Sequence, residues 1–496
     1  MKKYLSFLII GLSFTSIQAQ EVSDALRYAQ DNLSGTARFR AMGGAFGALG
    51  GDMSSINVNP AGSVIFANNQ VAITLSSLNT KNKSNYFGTR TEATDNTFDL
   101  NQVGGAWVFN NRDENSKWKK FSVGVNYENA NNFSNSVYSQ GYNPTNSVAD
   151  YFTSYANGIP LATITDNAFQ HLNYREQQAY LGYEGYIINP EAGDQYTSAV
   201  GGAGNFYQEN FISTTGYNGK LSFNTAVAYD NTFYFGLNLN AHFTDFNRTT
   251  SFYEDYLDSP GNDPTTGVQG VRFDNELYTY GSGFSFQLGA IAKVSNEFRV
   301  GLAYESPTWY RLNEELRQTL IVECPDCGTN DNIFYADPDM IMIYPTYRLQ
   351  TPGKLTGSLA YVFGTNGLLS VDYIRKDYSS TKFSPSEDYI DTNNQMANLL
   401  ATTNEFRVGG EYRIKAWSLR GGYRFEQSPY EDGTTIGDLT GYSGGLGYNF
   451  GHIKLDLAYT YAKRDYQQAF FSQGLTDTAT INSRNDNVSL TLLFEL

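Results

Sequence analysis

Several things are scarce in this chain, and each scarcity closes off a class of protein. Only 17% of its 496 residues are charged, and 34 Lys and Arg fall short of 50 Asp and Glu, for a net charge of -16. A protein that tracks phosphate backbones needs a basic surplus, so no nucleic acid partner is expected. After residue 20 no apolar run approaches the ~18 residues of a spanning helix. There are 3 His, at positions 171, 242 and 452. His242 lies near Thr244 and Asp245 with no Ser beside it on that face. No hydrolase triad is legible locally, so neither catalysis nor a cofactor nor a metal is expected. The 2 Cys are Cys324 and Cys327, within Cys-Pro-Asp-Cys. With no second pair and no His nearby, a local disulfide is the expected state outside the cytosol.

What is abundant points one way. Aromatics make up 15% of the chain, with 38 Tyr and 33 Phe, and there are 47 Gly. Tyr and Phe favour pleated surfaces and membrane interfaces. At the amino end, Lys2 and Lys3 precede a short apolar segment, Tyr4 to Ile17, and Ile17-Gln18-Ala19 offers a small-residue cleavage site before Gln20. That is a secretory signal peptide, over residues 1–19.

From residue 70 on, apolar and polar residues alternate with period two. In Trp417–Glu426, Trp417, Leu419, Gly421, Tyr423 and Phe425 share one face, and Ser418, Arg420, Gly422, Arg424 and Glu426 the other. Such segments recur at 70–79, 98–109, 119–130, 216–229, 232–246, 276–294, 297–309, 346–363, 367–380, 402–414, 416–427, 439–450, 451–463 and 485–496. Many are long enough to cross a bilayer when tilted. Tight turns at Asp230-Asn231, Ser295-Asn296, Gly364–Asn366, Lys415 and Gly451 alternate with long polar loops at 131–215, 247–275, 310–345, 381–401, 428–438 and 464–484. Short turns on one side and long loops on the other describe an all-β fold: a 14-stranded antiparallel transmembrane β-barrel over residues 67–496. With the first strand running outward, every long loop is external and the C-terminus periplasmic.

Residues 20–66 do not alternate. Glu21–Leu33 reads as an amphipathic helix capped by Ser23, and the small-residue stretch Ala41–Gly51 is followed by Asn59-Pro60-Ala61-Gly62. This segment is too apolar for a surface loop, and a barrel of this size is open unless plugged. Residues 20–66 are therefore read as a hatch in the lumen.

These segments resemble the FadL/TodX (outer-membrane protein P1) transporters. The shared features are Ala41–Gly51, the Asn59–Gly62 motif, the pair Arg407–Tyr412 and Leu419–Phe425 followed by Ser428-Pro429, and Leu455–Tyr461. The amino-terminal segment is similar in style to Bacteroidetes members. The resemblance implies a passive outer-membrane transporter for long-chain fatty acids, aromatic hydrocarbons or other hydrophobic small molecules. It also implies lateral release through a kinked third strand. A monomer is expected, in contact with outer-membrane lipid, lipopolysaccharide and the barrel assembly machinery. A surface-binding or adhesion barrel and a polar-solute porin are the alternatives.

Candidate residues follow from this reading. Phe46, Leu49, Met53, Ile56 and Phe66 either line a lower pocket or simply pack. A fatty-acid carboxylate needs a cation in a low-dielectric lumen. Arg420 and Arg424, two apart on the inward face, are the first choice, with cross-strand ion pairing as the competing reading. Asn is poor in strands, so Asn126, Asn129 and Asn131 mark a bend and a candidate lateral opening. The loop Tyr151–Ile188 is unusually apolar, which suits either a capture groove or a self-packed cap.

Overall fold

The computed structural model describes residues 20–113, 115–327 and 332–496; the expected signal peptide lies outside them. Fourteen antiparallel strands form one closed sheet: β1 (Gln70–Tyr86), β2 (Thr89–Asn110), β3 (Trp118–Asn132, continued by Asn135–Asn143), β4 (Phe206–Tyr229), β5 (Phe233–Asp255), β6 (Gly270–Lys293), β7 (Phe298–Glu305, continued by Trp309–Glu323), β8 (Met342–Gln350, continued by Lys354–Val362), β9 (Gly367–Asp377), β10 (Thr402–Ile414), β11 (Trp417–Glu426), β12 (Leu439–Asn449), β13 (Ile453–Ala469) and β14 (Thr478–Glu495). Each pairs with its neighbour in sequence, and β14 pairs with β1 from Gln70↔Glu495 to Asn85↔Thr480, which closes the barrel.

The outer face is an apolar band. Leu239, Leu302, Val408, Leu457 and Leu490 are exposed within it. Exposed aromatics gather near the short turns, at Phe109, Trp118, Phe233, Phe363 and Trp417, and again at the long-loop end, at Phe98, Tyr280, Trp309, Tyr442 and Tyr459. Two aromatic girdles around an apolar belt are the signature of a wall in contact with lipid.

Beyond the upper girdle the ladder continues. β1 and β2 run on to a turn at Phe87-Gly88, both at positive φ, and β4 and β5 stay paired as far as Tyr207↔Asp255. The expected loops 131–215, 247–275 and 310–345 are therefore partly strand. In β6 and β7 the alternation there is inverted: Val271, Phe273, Leu312, Leu316 and Leu320 are buried inside while Arg272 and Arg311 are exposed, so the pattern of a lipid-facing strand is missing. Two expected strands are also interrupted. Pro307 and Pro352 sit at the breaks of β7 and β8, where an imide without an N–H cannot join a ladder.

The long loop after β3 folds as a cap, with α3 (Val148–Ala156), α4 (Leu161–Thr165) and α5 (Tyr174–Glu184). Tyr151, Phe152, Ile159, Leu181 and Ile187 are buried with Phe252, Phe273, Leu320 and Val322, so the cap packs on itself and on the strands beneath it. Cys324 and Cys327 are joined by a disulfide at the end of β7, where Cys324 belongs to the same core.

Residues 20–66 fill the bore. α1 (Val22–Ala29) is shorter than expected and is capped by Glu21, whose backbone N–H donates to Asp24, rather than by Ser23. Below it lie α2 (Ala37–Ala41) and two 3-10 turns, Met53–Asn57 and Pro60–Ile65. Gly43, Gly44, Gly50 and Gly51 all have positive φ, which lets the stretch between α2 and the first 3-10 turn coil tightly. The Asn59 side chain accepts from Ala61 N and donates to Gly47 O (2.7 Å) and to the wall at Ala290 O (3.1 Å). From β9, Asp372 accepts from Phe46 N and Gly47 N.

The wall is shaped to this plug by inward glycines. A Cβ on Gly236 would sit 2.3 Å from Pro60 C, on Gly301 2.2 Å from Gly47 O, on Gly409 2.3 Å from Met42 O and on Gly422 2.3 Å from Gly43 N. Gly422→Val should therefore unseat the hatch and cost about 1–3 kcal/mol by overpacking. Gly421→Val faces outward, where the nearest atom is 4.0 Å away, and should change stability by no more than about 0.5 kcal/mol. Thermal unfolding of the two variants in detergent checks the contrast.

Candidate functional site

The lumen is closed below and roomy above. At the long-loop end, two adjoining cavities of about 770 and 430 Å³ share Glu21, Ser23, Tyr174, Tyr430 and Gln467. The second is walled by Tyr151, Phe252, Phe273, Phe470 and Phe471, a mixed aromatic vestibule suited to apolar solutes. α1 forms its floor. Val22, Ala25, Leu26 and Tyr28 pack on Phe133 at the break in β3 and on Phe246, Leu277 and Tyr310 from three strands.

One buried carboxyl holds α1 at the rim. Glu314 is 2% exposed, lies on the polar stretch of β7 above Trp309, and accepts from the Gln20 amide. Burial pushes its carboxyl up to about 7, with Asp24 adding to the shift, while the Gln20 amide, Arg27 and Arg248 pull the other way.

Beneath α1, a cavity of about 100 Å³ is lined by Leu33, Arg40, Leu78, Asp99, Asn129 and Asn132, among others. It lies behind a discontinuity in the wall. β2 pairs with β3 only from Gln102↔Glu128 to Asn110↔Lys120. No backbone ladder joins Thr89–Asn101 to β3 among the described residues, although Phe98 and Leu100 are still exposed on the outer face. β3 instead bulges between Asn129 and Asn131 and breaks at Phe133-Ser134. Its continuation turns inward, where Ser139 meets Ser84 and Ser136 O accepts from Asn82. The gap is spanned by side chains: Asn129 and Asn132 both donate to Asp99 (3.0 and 2.9 Å), which also accepts from Ser76.

The Asn cluster therefore sits where a bend was expected. Asn129 and Asn131 flank the bulge. Asn126 accepts from Gln102 in the regular part of the ladder. Asn131 reaches inward, accepting from Asn32 and donating to Arg27 O (3.5 Å), so it ties the bulge to α1. Asp99 and Asn132 escaped sequence reasoning because a lone Asp or Asn on a polar stretch carries no signal of its own.

The other candidates are engaged within the protein. Phe46 and Leu49 pack with Phe39, Met42 and Leu368. Met53, Ile56 and Phe66 pack with Ala72, Ala106 and Leu493. None of the five lines the cavities above; they fill the space between hatch and wall. Arg420 is held by Glu411 (2.7 Å) and Asp456 (2.5 Å), and Arg424 by Glu405 (2.6 Å) and Glu426 (2.7 Å). Hatch residue Arg38 joins the first set through Glu411. The competing ion-pair reading holds for both arginines. His242 faces Ser285 Oγ at 2.9 Å across the strand pair, but its Nδ1 meets the Tyr310 hydroxyl (3.4 Å) rather than a carboxylate, which is not a triad.

A second inward cluster joins Lys354 to Asp31 and Glu305, with Lys376 also on Asp31. It lines a small polar cavity of about 40 Å³ together with Lys220.

The sequence profile of the family described as outer membrane protein transport protein (OMPP1/FadL/TodX) matches residues 212–490. A Pseudomonas aeruginosa FadL homologue superposes with a TM-score of 0.54 at 14% identity, over 93% of this chain and 98% of that one. The P. putida toluene transporter TodX does so with a TM-score of 0.51 at 15% identity, over 94% and 99%. At such identities the likeness speaks for the fold. No curated protein matches.

A carboxyl whose folded value is raised favours the folded state while protonated. The contribution of Glu314 is therefore complete below its ordinary 4.5 and is lost as pH rises through about 7. It amounts to at most about 3 kcal/mol. A spin label at Val22→Cys should be more mobile at pH 8.5 than at pH 5.5, and Glu314→Gln should abolish that difference. A label insensitive to pH in both proteins would contradict it.

Proposed function

Because the chain belongs to the outer membrane protein transport protein (OMPP1/FadL/TodX) family, we propose that it is a passive channel for hydrophobic small molecules, such as long-chain fatty acids or aromatic hydrocarbons, which leave it sideways into the membrane. The observation that carries this reading is the coincidence of a filled bore with an unladdered wall. The hatch blocks axial passage, while the cavity under α1 abuts the stretch of β2 that has no backbone partner on β3.

A solute first partitions into the aromatic vestibule, with the long loops external and the C-terminus periplasmic. Displacement of α1 then admits it to the inner cavity. Because Asn131 bridges Asn32 and Arg27 O to the bulge, moving α1 also loosens β3. Parting Asp99 from Asn129 and Asn132 opens the slot at the height of Phe98 and Leu100. No energy source is needed. Direction follows from the solute's different affinities for vestibule, cavity and bilayer.

The test is a reversible staple across the slot. With Asp99→Cys and Asn132→Cys oxidised, uptake of radiolabelled oleate by cells expressing the protein should fall about tenfold, and a reductant should restore it. Unchanged uptake under complete cross-linking would refute the sideways route. Rapid swelling of protein-containing liposomes in small sugars would favour a polar-solute pore instead.

A further inference from the structure

Three cations stand together on the outer face of the wall, just above the upper aromatic girdle. Arg311 on β7 and Arg348 on β8 are directly opposed in the ladder. Lys382, in the short segment Lys382–Ser384 that pairs with β8, lies diagonally across from Arg348. Their neighbours Tyr310, Leu312, Tyr347, Leu349 and Phe383 are buried on the inward face. The three cations therefore point outward, and all three are exposed. Like charges opposed across a ladder weaken it, and here nothing offsets the repulsion: none of the three joins an ion pair among the described residues.

Other outward cations at this end of the barrel carry their own carboxylates. Arg272 holds Asp274, Arg317 holds Asp337 and Arg484 holds Asp486. Glu315, the next carboxylate on the outward face of β7, lies roughly 13 Å farther along the strand than Arg311. Below the cluster the wall turns apolar. Trp309 pairs with Gln350 on one side and Phe284 on the other, and its indole N–H donates to the Gln350 side chain (3.2 Å). Trp309 and Phe284 are exposed, as are Tyr304 and Leu302 lower on β7. Cations set directly above an aromatic girdle lie at the height of lipid phosphates, and the fork of an arginine matches phosphate oxygens. A phosphodiester brings one negative charge, whereas a phosphate monoester brings nearly two, which suits three clustered cations better.

We propose that Arg311, Arg348 and Lys382 form a docking site for a phosphorylated glycolipid of the outer leaflet. Its phosphate monoester sits among the two guanidinium forks and the Lys382 ammonium, and its acyl chains run down Trp309, Phe284 and Leu302. The inference rests on the long loops being external, which places this rim in the glycolipid leaflet. It does not depend on the lateral route, since the site lies on the outside of the wall.

The test is equilibrium binding of radiolabelled diphosphoryl lipid A to the purified barrel in a maltoside detergent. Arg311→Gln combined with Arg348→Gln should weaken binding about tenfold, and Lys382→Gln alone about threefold. Arg272→Gln, which removes a cation that already has a carboxylate, should change it by less than about twofold. The Tm of the double variant should be unchanged or raised, because a repulsion is relieved. Dephosphorylated lipid A should bind the wild-type protein about tenfold more weakly and should not discriminate among the variants. Excess inorganic phosphate should not displace the lipid, because it lacks the acyl chains. Unchanged affinity in the double variant, equal loss of both lipids, displacement by inorganic phosphate, or a wild-type preference for phosphatidylglycerol would each overturn the site. Orientation is read separately, by labelling Ile341→Cys, an exposed position on the same rim, with a membrane-impermeant maleimide on intact cells. Labelling together with unchanged binding in the double variant overturns the docking site alone; absence of labelling overturns the external rim and the choice of lipid with it.

Discussion

Inside a bilayer an unpaired peptide group has no water to turn to, so a sheet that crosses it must close on itself or cover whatever edge it leaves. β1 and β14 meet that demand over sixteen residue pairs, from Gln70↔Glu495 to Asn85↔Thr480. β2 and β3 meet it only up to Gln102↔Glu128. Above that level the edge of β2 is covered by side chains of a strand that has turned inward. Side-chain hydrogen bonds can be exchanged singly; a ladder cannot. On the lateral-channel reading proposed above, the slot is where the wall would open without unzipping the barrel.

The hatch makes that slot matter. Its backbone lies so close to the wall that glycines at positions 236, 301, 409 and 422 have no room for a methyl group. Asn59 and Asp372 pin it through main-chain groups, and Arg38 ties it to Glu411. Moving the whole plug means breaking all of these together. Moving α1 alone means breaking an apolar contact and a few polar ones near Glu314, Asn131 and Lys376. On the proposed route α1 is the part that moves and the rest of the hatch the part that stays, and the two differ in how each is fastened.

Much of this was legible in the sequence. The strand expected at 402–414 coincides with Thr402–Ile414, because there one face meets lipid and the other the hatch, and the alternation is at full contrast. The strand expected at 70–79 runs on to Tyr86, because past the upper girdle both faces are polar and the pattern vanishes while the ladder continues. The breaks in β7 and β8 were missed, because the strands expected at 297–309 and 346–363 run straight through Pro307 and Pro352. The hatch motif was legible as a motif, and Asn59 explains why those four residues stand together. The site was less legible. Arg420 and Arg424 were the obvious cations on inward faces, and their carboxylate partners come from β10, β11 and β13, a pairing set by register.

The most direct measurement is the conductance of single purified barrels in a planar bilayer. If residues 20–66 fill the bore and the only way through is sideways, the barrel should be electrically silent to small ions across the working voltage range. A steady ohmic current of the size expected for an unobstructed fourteen-strand lumen would contradict the plug, and with it the lateral route that depends on it.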